Sequence, residues 1–401
     1  MEFKEYFLKD LGEIITGKTP SKSNPEFYNS KDIMFIKPDD LDINNIISLN
    51  KSKEYISKNG AKKVRTLPKD SVLITCIGII GKVGILNSDI AAFNQQINAI
   101  IPNEEIIIPK YLALRIWYDR NKLRDIANAP VVPIINKSQF SNLKITVPSL
   151  VYQKKVIELL ESAEGLISKR KAQIEALDEL TQSVFLEMFG DPKINPKKWP
   201  IGTIKDLSIK TQYGTSKKAD EQKGSYPMLR MNNITYNGGW NFNSLKYVDL
   251  DDKEKGKYLV NKGELLFNRT NSKELVGKTA VYRKDEPMAY AGYLVKLICN
   301  EKANAEFISA YLNSKYGKAI LLSMAKNIVG MANINAEELK SITIYMPPKD
   351  IQDKFANINL KIIEKKDLLL KGLDKLDENY LALMQRAFKG ELFIQEKLPN
   401  A

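Results

Sequence analysis

At 401 residues, with 43% hydrophobic and 27% charged side chains, the chain has an ordinary globular composition and exceeds what one hydrophobic core usually organises, so two or more domains are expected. Its formal net charge is +13, from 61 Lys and Arg against 48 Asp and Glu, which favours a polyanionic partner. Histidine is absent, which excludes Ser-His-Asp triads, Cys-His dyads, HExxH zinc sites and histidine-bearing metal nucleases.

The opening Met1-Glu2-Phe3-Lys4-Glu5 holds no apolar signal core, and no run reaches the ~18–20 apolar residues of a membrane span, so a cytoplasmic protein is expected. Gly12-Glu13-Ile14-Ile15-Thr16-Gly17-Lys18-Thr19 fits the spacing of a phosphate-binding loop. In such a loop the lysine and hydroxyl residue open a helix whose amides hold phosphate. Here Pro20 follows, then Ser21-Lys22-Ser23-Asn24-Pro25, a stretch that resists helix. A nucleotide-hydrolysing enzyme therefore lacks its strand–loop–helix context; ATPase activity lost on Lys18→Ala would restore that alternative. Val72 to Ile80 reads as a buried strand and Pro109 to Tyr118 as a short helix. Cys76 and Cys299 are too few for a disulfide framework or a zinc site and read as core residues.

From Val156 a stripe steps by four and three residues through Leu160, Ala163, Ile167, Arg170, Ile174, Leu177, Thr181, Val184 and Met188. No proline falls between Pro148 and Pro192, and a helix of ~38 residues would run ~57 Å. The second half then repeats the first. Asn335–Pro347 (NAEELKSITIYMP) falls on Asn136–Pro148 (NKSQFSNLKITVP) at an offset of 199, which continues without a gap to Gln352 on Gln153 and Phe388 on Phe189. Upstream, Tyr226–Ile234 falls on Ile33–Leu41, Lys262–Asn268 on Lys69–Thr75, and Gly277-Lys278 on Gly81-Lys82. Leu265 to Phe267 reads as a strand and Asn304 to Ser314 as a helix. A second stripe runs through Phe355, Asn359, Ile362, Lys366, Leu369, Leu373, Leu376, Tyr380, Leu383 and Ala387.

Heptads this long argue for coiled-coil pairing, and the connectivity makes the pair antiparallel. The expected fold is α/β: two pseudo-two-fold-related α/β domains, 1–150 and 191–349, separated by a long antiparallel two-helix coiled coil made of 151–190 and 350–401.

No Asn/Asp-Pro-Pro-Tyr/Phe tetrapeptide and no convincing Gly-rich loop for S-adenosylmethionine occur, so the isolated chain should neither methylate nor cut DNA. What is left is polar and basic side chains in loops. In the first half these are Lys37, Asp39, Asp40, Thr75, Lys82, Gln95 and Gln96. In the second they are Arg230, Asn232, Asn233, Asn268, Arg269, Asn271 and Ser272. Arginine reads guanine bidentately, asparagine and glutamine read adenine, and a carboxylate accepts from cytosine. The +13 charge supplies phosphate attraction, which positions without specifying. For any single residue an ordinary solvated turn is the alternative.

Five segments carry a resemblance: LGEIITGKTPS at Leu11–Ser21, IEALDELTQSVFLEMFGDP at Ile174–Pro192, YPMLRMNNI at Tyr226–Ile234, LLFNRTNSKELVGKTAV at Leu265–Val281 and LDENYLALMQRAFKGEL at Leu376–Leu392. With the repeat layout, the chain resembles the specificity subunit of Type I restriction–modification systems. The resemblance implies two target-recognition domains, each reading half of a bipartite asymmetric site in double-stranded DNA. It implies conserved helices that dock two modification (methyltransferase) subunits and set the spacer, and a place for two restriction subunits. S-adenosylmethionine would belong to the modification subunit, ATP and magnesium to the restriction subunit, and no catalytic, cofactor or metal residue to this chain. The chain starts directly at the first recognition domain, so the C-terminal helix is expected to complete the first half. A coiled-coil scaffold that binds DNA without sequence preference is the structural alternative.

Overall fold

A computed structural model describes residues 3–127, 132–328 and 331–393. The chain divides into two compact units, Met1–Lys169 with Leu373–Ala401, and Arg170–Gly372.

In the first unit a five-stranded sheet runs in the order Gly12–Thr16, Ile97–Pro102, Val72–Thr75, Val83–Leu86, Ile47–Leu49. Val72 and Ile74 point into a core shared with Tyr111, Leu112 and Leu114 of the helix Pro109–Tyr118. Leu73, on the other face, meets Leu86, Phe93, Ile97 and Ala99. Burial on both faces is why this strand reads as a continuous apolar run and not as an alternation. A four-stranded sheet, Glu54–Ile56, Ile33–Ile36, Ile90–Phe93, Thr66–Pro68, contains the parallel pair Ile33–Ile36 with Ile90–Phe93.

The second unit repeats this construction. One sheet runs Ser208–Tyr213, Leu294–Cys299, Leu265–Asn268, Thr279–Val281, with Leu265 and Phe267 in one core and Leu266 in another. A second sheet runs Lys246–Val248, Tyr226–Leu229, Met288–Tyr290, Leu259–Val260, and its Tyr226–Leu229 with Met288–Tyr290 pair is again parallel.

The duplication extends to single hydrogen bonds. Lys4–Phe7 pairs with Lys144–Val147, and Ile201–Thr203 with Thr343–Tyr345. Asp70 has φ +65° where Gly263 has φ +88°. The side chain of Gln153, fully buried, accepts from Ile108 N (2.9 Å) and donates to the carbonyls of Ile106 and Pro148 (2.9 Å each). Gln352, also fully buried, accepts from Asn304 N (2.8 Å) and donates to Lys302 O (3.0 Å) and Pro347 O (2.8 Å).

The two long helices span Leu150–Phe189 and Lys349–Lys389. Each position of both expected stripes is buried or half-buried. In the first unit Tyr152 Oη donates to Ala387 O (2.9 Å) and Tyr380 Oη to Glu164 Oε1 (2.5 Å). Within the second, Phe185 and Phe189 pack edge-on against Phe355, and Lys366 pairs with Asp178. In each unit rising numbers on one helix meet falling numbers on the other, so the helices are antiparallel. Each ends on a glycine of positive φ, Gly190 (+83°) and Gly390 (+75°), at the position after the last turn where such a residue closes a helix.

One expectation is corrected. The run Val72 to Ile80 is a strand only over Val72–Thr75. Gly78 (φ +78°) and Gly81 (φ +86°) turn the chain into a loop, because left-handed backbone cannot continue a ladder. Cys76 is buried and Cys299 half-buried, and burial pushes both thiols up to about 12, so both are neutral side chains in the packing. Among the described residues no helix is long and apolar enough to cross a membrane.

Candidate nucleic-acid interface

In each unit several loops converge on one turn. In the first, the turn is Phe93 to Ile97. Asn94 N donates to Ile36 O (3.0 Å), next to Lys37, and Cys76 N donates to Gln96 O (2.8 Å). Gly17 passes so closely that a Cβ would stand 2.0 Å from Asn94 O, and Lys18 N donates to Phe93 O (3.0 Å). In the second, the turn is Tyr290 to Leu294. Ala291 N donates to Leu229 O (2.9 Å), next to Arg230, and Arg269 N to Tyr293 O (3.0 Å). A Cβ on Gly214 would stand 2.3 Å from Ala291 O.

This accounts for the phosphate-loop spacing. Gly12–Thr16 is a strand, Gly17 is needed for its approach to the turn, and no helix begins at Lys18. Gly214 holds the equivalent place without the motif.

The candidate residues fall into two kinds. Asp39, Gln95 and Asn232 are exposed, and Lys37, Gln96, Arg230, Arg269, Asn271 and Ser272 half-exposed. Lys37 pairs with Glu54, and Gln95 accepts from Thr19 Oγ1 (2.6 Å). Arg230 donates through one terminal nitrogen to Ser244 O (2.5 Å), and the guanidinium of Arg269 lies 4.9 Å from the Tyr213 ring centroid. Asn271 Oδ1 accepts from Ser272 N (2.9 Å). Arg269 Nη1 also donates to Gly292 O (3.5 Å), and the Nε of both arginines is buried. Arg230 and Arg269 thus flank one turn with one terminal guanidinium nitrogen each left over.

The second kind builds the loops. Asp40 accepts from Lys37 N and Lys53 N (2.8 Å each). Asn233, buried, accepts from Arg230 N and donates to Asn241 O (2.8 Å each). Thr75, fully buried, donates to Ile79 O (2.5 Å) and accepts from Lys82 N (3.0 Å). Lys82, half-buried, donates to Pro38 O (2.8 Å), holding the Pro38–Asp40 turn. Asn268 is fully buried, and its amide meets no protein partner. Thr75, Asn233 and Asn268 lie beneath the surface, where a base edge does not reach them: Thr75 and Asn268 point inward at strand ends, and Asn233 turns inward to bond its own loop.

Sequence reasoning passed over two lysines. Lys278, at the position of Lys82, is buried and donates to Met231 O (2.9 Å), a role the repeat alignment could have signalled. Lys318 donates to Tyr236 O and lies over the Tyr236 ring. Burial, and after it the charge of Lys278, pushes the Lys318 amine down to about 8. A folded-state value below lysine's ordinary ~10.4 means the fold bears the cost of the charge in full below about pH 8 and is relieved of it as pH rises further. Lys318→Met should therefore be most favourable relative to the parent near pH 7, with the difference shrinking by pH 10. Thermal unfolding at both pH values checks this, and a pH-independent difference would contradict it.

The sequence model of the Type I restriction modification DNA specificity domain matches residues 1–176 and 196–388. The chain is 36% identical over 180 residues to the HindI specificity subunit of Haemophilus influenzae, a match spanning 42% of this chain and 38% of that protein. It is 24% identical over 412 residues to the MjaIX specificity subunit of Methanocaldococcus jannaschii, spanning 97% and 93% of the two. A chain from a solved structure of the type I R-M system shares the fold with a TM-score of 0.62 at 15% identity, covering 97% of this chain and 98% of that one.

Proposed function

The chain belongs to the Type I restriction–modification DNA specificity family, and from that membership we propose that it is a non-catalytic sequence reader whose two recognition domains each contact one half of a bipartite DNA site. The observation that supports this most is the loop cluster built twice with different side chains. Lys37 and Asp39 stand where Arg230 and Asn232 stand on the duplicated scaffold. A carboxylate accepts from cytosine, arginine prefers guanine and asparagine adenine, so the two half-sites should differ and the full target should be asymmetric.

The helices offer the partner surface. Leu166 and Leu381 in the first unit are exposed on the long helices, as are Leu180, Leu186 and Leu368 in the second. Apolar side chains on outer helix faces support docking of two modification subunits there, with restriction subunits joining that complex. S-adenosylmethionine would enter with the modification subunits, and ATP and magnesium with the restriction subunits. The continuous helices would fix the spacer, with half-site centres about one DNA turn, ~10 bp, apart.

Methylome sequencing of cells carrying the chain with its modification partner tests the reading. The expected result is one asymmetric motif of two short specific blocks around a fixed nonspecific spacer. A palindrome, an uninterrupted motif or sequence-independent methylation would contradict it, and the last would favour a plain scaffold.

A further inference from the structure

Ile79 is 61% exposed and Leu275 38% exposed, and they hold the same place in the two units. Each follows a corresponding sheet strand, Val72–Thr75 or Leu265–Asn268. Each precedes a buried aliphatic residue, Ile80 or Val276, and then a glycine of positive φ, Gly81 (+86°) or Gly277 (+83°). The next residue is Lys82 or Lys278, whose amine is bonded to the backbone of Pro38 or Met231. The buried neighbour and the bonded lysine anchor the loop, and the glycine reverses it, so the exposed aliphatic is held outward. In the first unit Thr75 Oγ1 also donates to the Ile79 carbonyl (2.5 Å).

A lone exposed aliphatic side chain is ordinary. This one is built twice, from loops of different length and sequence, beside the turns on which the candidate base readers converge. In the first unit its surroundings are cationic. Gly81 packs against Arg120, and Arg124 Nε lies 3.4 Å from Ile80 O. At the second loop the charges are mixed, with Lys273 and Glu274 just before Leu275 and Lys278 three residues after it. An apolar tip within a cationic frame suits a surface that is anionic at its rim and apolar at one point. The major groove is such a surface: phosphates border it, and the thymine C5-methyl group is the apolar feature of its base edges.

We infer that Ile79 and Leu275 are specificity residues, each contacting the methyl group of a thymine in its own half-site. This rests on the two-domain reading proposed above. The test uses the full chain in complex with its modification subunits, and duplexes carrying the methylome-derived motif with each thymine singly replaced by deoxyuridine. One replacement in the first half-site should weaken binding about fourfold, the worth of burying one methyl group. Ile79→Ala should be indifferent to that replacement and keep its sensitivity in the second half-site, with Leu275→Ala the mirror image. Both side chains are partly in solvent, so unfolding midpoints near the parent's are expected and confirm intact folding. Tolerance of every deoxyuridine, sensitivity that survives in the alanine variants, or a half-site without thymine would overturn the inference. Failure of the parent complex to prefer the all-thymine motif over a scrambled duplex would overturn the two-domain reading as well.

Discussion

Gln153→Leu and Gln352→Leu should each destabilise the protein by about 3–5 kcal/mol, although neither residue approaches the proposed DNA surface. Each glutamine is fully buried and satisfies one backbone N–H and two carbonyls. Leucine fills nearly the same volume but bonds to none of them. Three backbone groups, one buried and two partly buried, are then left without these partners, and each buried orphan costs roughly 1–3 kcal/mol. The bonds tie the start of each long helix to the segment before an earlier helix, Pro109–Tyr118 or Ala305–Asn313, so the loss should be felt by the whole unit. Urea unfolding of the two variants, beside the exposed-site control Gln385→Leu, checks this. Variants within about 0.5 kcal/mol of the parent would show that the paired networks are incidental.

Arg230→Ala or Arg269→Ala should cost ~1–3 kcal/mol of specific binding and relax the second half-site alone. Both side chains flank the Tyr290–Leu294 turn and are only partly engaged by the protein, Arg230 by Ser244 O and Arg269 by Gly292 O and the Tyr213 ring. A lysine lost from a phosphate contact would instead weaken all sequences alike and flatten the salt dependence. Titration against duplexes with each second-half base pair exchanged separates these outcomes. Equal weakening at every exchanged position would assign the arginines to the backbone and not to bases.

The long helices were legible because their signal is redundant. Stripes of four-and-three spacing, freedom from proline and a closing glycine all point one way, and the bounds Leu150–Phe189 and Lys349–Lys389 fall where these signals stop. Pro109–Tyr118 was legible for a similar reason, since proline opens a helix readily. The duplication was visible in residues whose purpose was not. Gln153 and Gln352 align at a fixed offset, but which carbonyls they reach depends on a chain reversal that no local pattern encodes. Val72 to Ile80 reads as one apolar run, yet hydrophobicity is blind to the positive φ of Gly78 and Gly81. The candidate site was legible as a set of loops and not as a set of side chains. Amide chemistry selected Asn232 and Asn233 alike, whereas the fold exposes the first and buries the second. Thr75 and Asn268 end strands with their side chains inward, a matter of register that alternation cannot reveal in a strand buried on both faces.

The central claim is that each recognition domain reads its own half of the site. The most direct measurement is methylome sequencing of cells carrying the modification partner with either Lys37→Ala or Arg269→Ala. Lys37→Ala should loosen the first specific block and leave the second intact, while Arg269→Ala should do the reverse, with the spacer unchanged in both. A variant that loosens both blocks together, or two variants that loosen the same block, would contradict the division of the site between the two domains.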